Sequence, residues 1–183
     1  VIQTNDPRGS VQYRLGDDAV LRVDAGRYHQ ARIGPDTSAV FGTPDLGVGR
    51  AYHVTPGGQC RRAPIGFELV AYARWLDELV VRDGSVTPPY AMALTPFGTG
   101  SVYGVQLTAR VVGYRGLSGW LSYNLSRSRR QDGEGQPERF FDHDQTHGLI
   151  AVVGWERGPW TLGGRVRFAT GEPRTDVIGA FFD

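Results

Sequence analysis

Residues 102–112 read VYGVQLTARVV, and their alternation decides the fold. Successive side chains of an extended chain point to opposite faces. Val105, Leu107, Ala109 and Val111 therefore share one face, and Gln106, Thr108 and Arg110 share the other. The same period of two recurs on both sides of this stretch. In SVQYRL (10–15), Val11, Tyr13 and Leu15 oppose Gln12 and Arg14. After Gly16-Asp17-Asp18 comes AVLRVDAGRYH (19–29), where Leu21, Val23 and Ala25 oppose Arg22, Asp24 and Gly26. A Gly/Asp turn between two such runs predicts a hairpin. In GFELVAYARWL (66–76), Phe67, Leu69, Ala71, Ala73 and Trp75 oppose Glu68, Tyr72 and Arg74. LSYNLS (121–126) sets Leu121, Tyr123 and Leu125 against Ser122, Asn124 and Ser126. HGLIAVVGW (147–155) sets Leu149, Ala151, Val153 and Trp155 against a face that also carries Ile150 and Val152. WTLGGRVRF (160–168) sets Trp160, Leu162, Gly164, Val166 and Phe168 against Thr161, Gly163, Arg165 and Arg167. RAYHVTPGGQC (50–60) is assigned as a strand to keep the hairpins in step, although Pro56 cannot donate to a ladder.

Composition agrees with an all-β chain. The 183 residues include 26 Gly and 11 Pro, aromatic residues make up 11%, and no apolar stripe of helical period is sustained. A net charge of +1 with arginines spread along the chain argues against a nucleic-acid footprint. The lone Cys60 excludes an internal disulfide and a multi-thiolate metal site. No apolar run approaches the roughly 20 residues of a membrane helix, a fact that does not bear on strands, whose alternation leaves them hydrophilic on average. The start at Val-Ile-Gln-Thr and the stop at Phe181-Phe182-Asp183 read as cuts in a longer protein.

Connections alternate in length. Short turns are predicted near Gly16–Asp18, Arg61–Ile65, Gly113–Ser118 and Glu156–Pro159. Long polar connections are predicted over 30–49, 82–100 and 128–145, with a fourth starting near Gly171. Outer-membrane barrels show this asymmetry of short and long loops, and a soluble sandwich has no reason to put every long loop at one end. Aromatic residues gather where strands meet turns: Trp155 and Trp160 at one end, Tyr28, Phe140 and Phe141 near the other. Such positions suit a membrane interface, where a ring is half wet. A face rich in arginine must meet water or paired charge, while the opposite face is apolar over about nine or ten residues, the span of a tilted transmembrane strand. Soluble strands average about five or six.

The expectation is an antiparallel meander of about eight long strands forming part of a transmembrane β-barrel wall, open and incomplete. Arg22, Asp24, Arg74, Gln106, Arg110, Arg165 and Arg167 are expected to face the lumen. Leu21, Val23, Leu69, Val105, Leu107, Leu121, Leu149, Leu162 and Val166 are expected to face lipid.

Several stretches resemble TonB-dependent outer-membrane receptors. GLSGWLSYNLSRSRR, RFFDHDQTHGLIAVVGW and WTLGGRVRFATGEPRT are similar to the C-terminal half of their barrel. DPRGSVQYRLGDDAVLRVDAGRYHQ, FGTPDLGVGRA, FELVAYARWLDELVVR and GTGSVYGVQL resemble the same barrel in collinear order. FGTPDLGVGR departs from the family's Asn-Pro-Asp-Leu-Lys-Pro-Glu pattern, lacking its first Asn and its Glu, and Pro56 is a second departure. The resemblance implies a partial barrel domain over 1–183, supplying roughly eight of roughly 22 strands. The plug domain, the TonB-contacting segment and the terminal strands would lie elsewhere. It further implies residence in the bacterial outer membrane and import of a scarce extracellular small molecule such as a ferric siderophore, cobalamin or glycan. Membrane lipid, TonB and the plug are the implied partners. No cofactor, nucleic-acid partner or bond chemistry on the ligand is implied.

DHDQTH (142–147) gathers Asp142, His143, Asp144 and His147, residue types that ligate zinc or iron. On an extended strand the two His would stand about 13 Å apart, so the stretch reads as a polar re-entry from loop to strand, and no metal site is expected. His29 and His53 are isolated and read as rim or lumen residues. Arg127, Arg129 and Arg130 are a solvated charge run or an attraction for anionic ligand or lipopolysaccharide at the rim. No nucleophile elbow or phosphate loop occurs. Two alternatives remain: a stand-alone barrel of about eight strands acting as anchor or adhesin, and a soluble all-β carbohydrate-binding or hydrolytic domain. Hydrolysis needs an acid pair roughly 5–9.5 Å apart, and Asp77 and Glu78 are adjacent, on opposite faces of any strand.

Overall fold

The computed structural model describes residues 3–32, 34–38, 42–82 and 94–171. These form nine strands and no helix: β1 (Arg8–Leu15), β2 (Ala19–Gln30), β3 (Gly49–Arg62), β4 (Ile65–Arg82), β5 (Leu94–Tyr114), β6 (Leu117–Gln131), β7 (Arg139–Phe140), β8 (His147–Arg157) and β9 (Trp160–Ala169). Eight pair antiparallel in chain order as one open sheet, and the two-residue β7 pairs onto the end of β6. β1 and β9 are its edges and do not pair with each other.

Each hairpin turns where the sequence has a residue suited to it. Gly16 and Gly158 hold φ of 68° and 59°. Arg115 and Gly116 are both left-handed, at 52° and 84°, the backbone that matches the twist of two joined strands. A meander with every short turn at one end sends the remaining connections to the other. There lie the described parts of 31–48, and 132–146; residues 83–93 between β4 and β5 fall outside the described part, as does the connection expected after Gly171.

Two predicted loops are in part strand. β4 and β5 continue together to Arg82 and Leu94, past a register irregularity between Leu76 and Val81 where Glu78 adopts φ 57°. β6 runs on to Gln131 rather than stopping near Ser128. The 42–48 segment lies against the start of the β5 extension. Leu46, from the 42–48 segment, and Val81 are the buried hydrophobic residues among those described, and Thr43 Oγ1 donates to the Leu94 carbonyl at 3.0 Å. Pro56 is accommodated inside β3: it stands opposite Val23 on one side, while the β3–β4 register breaks after Val54↔Ala73 and resumes at Gly57↔Val70. The missing donor costs a gap in one ladder and leaves the strand intact.

Register, more than any one strand, defines the sheet. One row across all eight strands reads Tyr13, Leu21, Gly58, Leu69, Leu107, Tyr123, Leu149, Phe168. The adjacent row, one residue along and on the opposite face, reads Arg14, Val20, Gln59, Glu68, Thr108, Ser122, Ile150, Arg167. A slip of one residue in any hairpin would scramble both. None occurs over this span.

Candidate functional site

The two faces are the candidate site. Arg22, Asp24, Arg74, Gln106, Arg110, Arg165 and Arg167 share one face by register, and Leu21, Val23, Leu69, Val105, Leu107, Leu121, Leu149, Leu162 and Val166 share the other. The second face is uncovered. The large hydrophobic residues left exposed all lie on it except Phe97, Val112 and Trp120. Fully burying one Val, Leu or Phe is worth about 1.5–3 kcal/mol, against a total stability of about 5–15 kcal/mol for an ordinary domain. A face with this many side chains unburied leaves its main driving force unspent until something apolar covers it.

The polar face is organised by stacking and hydrogen bonds. Arg22 donates to Asp24 at 2.7 Å, and Gln106 Nε2 donates to Ser122 Oγ at 3.3 Å. His53 is not isolated: its ring stacks on Tyr28 at 4.4 Å, and the Arg8 guanidinium covers the other ring at 4.3 Å. Tyr28 therefore belongs to this face and not to an interfacial belt. Arg74 lies beside His53 in register and 5.2 Å from the Tyr72 ring. Tyr72 in turn lies over Gly104, the one residue type that leaves room for the ring, and its hydroxyl donates to Asn124 Oδ1 at 3.1 Å. Arg110 and Arg165 fall in one row with Trp120 and Val152 between them. Sequence reasoning missed this array, because the Tyr28–His53 stack and the Tyr72–Asn124 hydrogen bond form only across paired strands. The available signal was phase: Tyr28, Tyr72 and Trp120 each fall an even number of residues from an assigned polar position on the same strand, whereas His53 joins them only through its pairing with Arg74. Near the short turns the face opens into a hollow of about 470 Å³ whose polar lining is Gln59, Arg61, Glu68, Thr108 and Arg110.

Residues 141–146 turn rather than run extended, so the strand spacing assumed for His143 and His147 does not apply. Asp144 is 4% exposed. Its carboxylate accepts the Ser128 amide at 2.7 Å and the Thr146 hydroxyl at 3.3 Å, which staples the loop to β6. His147 Nδ1 is hydrogen-bonded to the Tyr123 hydroxyl at 2.7 Å. His143 stands 5.9 Å from the Phe141 ring. His29 Nδ1 donates to Asp6 at 2.6 Å, so it too has a partner. Among the described residues no cluster of His, Cys, Asp and Glu has the makings of a metal site.

The long-connection end is held by ion pairs. Arg32 donates to the Glu78 carbonyl, and Arg50 pairs with the Glu78 carboxylate. Burial, opposed by Glu78 and Asp36, lowers the Arg32 pKa, and its Nε is buried without a partner. Asp132 joins β6 to β7 by accepting from Arg139 at 2.6 Å and from Arg130 at 2.7 Å. Arg139 also reaches Asp142 at 2.6 Å. The Arg139 hydrogen bond foremost, with that of Arg130 behind it and burial opposing, holds the Asp132 carboxyl below its usual range. A depressed folded pKa stabilises fully above the unfolded value, about 3.9 for aspartate, and the contribution is lost as pH falls through the folded value. Hydrogen-exchange protection of the Phe141 amide, which donates to the Ser128 carbonyl at 3.1 Å, is therefore expected to hold from neutral pH down to the ordinary carboxylate range and to drop below it. Asp132→Asn should show the weakened protection at every pH. Protection that stays level into strong acid in the unsubstituted protein would refute the clamp.

No protein-family model matches the chain, and no curated protein matches it. Its functional reading rests on the two faces of the sheet.

Proposed function

We propose that the chain forms part of the wall of a bacterial outer-membrane β-barrel of the TonB-dependent transporter kind, importing a scarce small molecule from outside the cell. The supporting observation is the row from Tyr13 to Phe168, apolar apart from Gly58 and backed by the row from Arg14 to Arg167, polar apart from Val20 and Ile150. Lipid meets the first face, water and an interior plug domain meet the second. The arginine-rich wall then faces carboxylates of the plug and keeps the lumen wet, while the long connections reach the external ligand, a ferric siderophore, cobalamin or glycan. Cargo passes unaltered, and TonB acts through the plug.

The sheet's open edges favour a share of a large wall over a closed eight-stranded barrel, which needs β1 paired to β9. In hydrocarbon an unpaired edge costs several kcal/mol for each orphaned group, so further strands complete the wall on both sides. A soluble carbohydrate-binding domain has the least support, because the apolar side chains of the sheet do not pack into a core.

Adjacent cysteines test the assignment. In the full-length protein with Cys60→Ser, Gln106→Cys is expected to react with a charged, water-soluble thiol reagent, and Leu107→Cys only with a lipid-soluble one. Equal labelling of both by the charged reagent would refute the membrane reading.

A further inference from the structure

We infer that the apolar face ends, on the long-connection side, in a docking surface for a net-anionic membrane lipid, with Arg127 and Arg129 taking its phosphate. The inference rests on the barrel reading above and adds a lipid class to it.

The register carries the argument. On β6 the apolar phase reads Leu121, Tyr123, Leu125 and then, without a slip, Arg127 and Arg129. Their partners on β5 are Val105 opposite Leu125, Tyr103 opposite Arg127 and Ser101 opposite Arg129. Two guanidinium groups about 7 Å apart along one strand thus stand on the side where the acyl chains lie, immediately beyond the last leucine. A charge in that position needs a counter-charge at headgroup depth.

The protein supplies only part of one. Arg129 Nη1 is 2.9 Å from Glu138, itself an exposed side chain. Arg127 is exposed, lies 5.2 Å over the Phe140 ring and has no carboxylate partner among the described residues. Other arginines on the same phase at this end are engaged: Arg27 donates through Nε and Nη2 to the Asn5 carbonyl, and Arg50 is held by Glu78. At the short-turn end, Arg62 and Arg157 have the same phase but sit on β3 and β8, too far apart in the sheet to act as a pair.

What surrounds the two arginines suits a lipid headgroup. Trp75 shares a row with Ser101 and Arg129 and meets Tyr103 edge to face at 6.0 Å. Exposed rings at the border of an apolar band are at home at interfacial depth. Guanidinium forks bind phosphate through paired charge-assisted hydrogen bonds. A zwitterionic headgroup carries its own cation beside the phosphate, so charge complementarity selects a lipid whose phosphate is uncompensated. Its acyl chains then run down Val105, Leu125 and Tyr123.

One labelled position separates this inference from the reading beneath it. The full-length protein, with Cys60→Ser and bimane on Leu121→Cys, is placed in phosphatidylcholine vesicles containing phosphatidylglycerol. An acyl-chain nitroxide is carried by one lipid or the other at equal total amount. The label is expected to emit blue-shifted and to be quenched more strongly when phosphatidylglycerol carries the nitroxide. The preference is expected to vanish in R127Q/R129Q and to survive in R165Q/R167Q, which removes the same charge from the opposite face. With a blue-shifted label, three results overturn the docking surface and leave the barrel standing: equal quenching by the two lipids, a preference that survives R127Q/R129Q, or one lost equally in R165Q/R167Q. A label that reports water overturns both.

Discussion

Leu107→Arg is expected to destabilise the assembled barrel by about 2–4 kcal/mol, the cost of arginine on a lipid-facing site near the bilayer midplane. Leu107 sits in the middle of the apolar row, between Leu69 and Tyr123, and is 40% exposed. That exposure gives the substitution its diagnostic value. In water, a surface leucine changed to arginine costs within about 0.5 kcal/mol, since no cavity forms and no partner is lost. The neighbouring Gln106→Arg, on the opposite face, is expected to stay within about 0.5 kcal/mol in either environment. Trp160→Arg, in the same phase but at the short-turn end of β9, should cost only about 0–1 kcal/mol because the penalty fades toward the interface. Reversible denaturant titration in vesicles measures all three. If Leu107→Arg proved as mild as Gln106→Arg, the apolar face would have to meet something other than lipid.

Gly116→Ala is expected to be the most damaging small substitution in the turns. Gly116 holds φ 84°, and an added Cβ would run into the Glu156 carbonyl of the neighbouring β8. That backbone is not free to withdraw, since the Glu156 amide donates to the Gly116 carbonyl at 2.9 Å. The left-handed backbone alone costs an alanine about 1–2 kcal/mol, and displacing packed neighbours adds about 1–3 kcal/mol. Gly16→Ala isolates the first part: φ is 68° there, and a Cβ would meet nothing within 4 Å. The difference between the two variants, read from the same titration, reports the clash across β6 and β8. Equal effects would mean that the β5–β6 turn moves freely relative to β8, contrary to the register observed.

The proposed lipid surface and the proposed wet face draw on one property, that phase is conserved from β1 to β9. Arg127 and Arg165 are both arginines on long strands, yet the register puts the first with Leu125 and the second with Arg110. A charge count along the chain treats them alike. Their different fates follow from which neighbours each strand pairs with, and that is why the paired variants R127Q/R129Q and R165Q/R167Q are expected to behave differently at identical net charge.

The sequence by itself determined the strands, their two faces and the short turns. A period of two is written locally in stretches such as VYGVQLTARVV, and Gly16 and Gly116 bend the chain with a backbone freedom of their own. The residues assigned to opposite faces, from Arg22 to Arg167 and from Leu21 to Val166, fall there in three dimensions for the same local reason. Tertiary structure alone decided what depends on partners distant in the chain. Residues 94–100 became strand because they pair with the end of β4 and the 42–48 segment ties down Leu94. Pro56 was tolerated because the gap it opens falls on one ladder only. Tyr28 left the expected belt for a stack with His53, and DHDQTH turned about the buried Asp144 instead of running straight. Alternation states which way a side chain points. Only the pairing of strands, a long-range equilibrium set by turns, bulges and packing, states what it points beside.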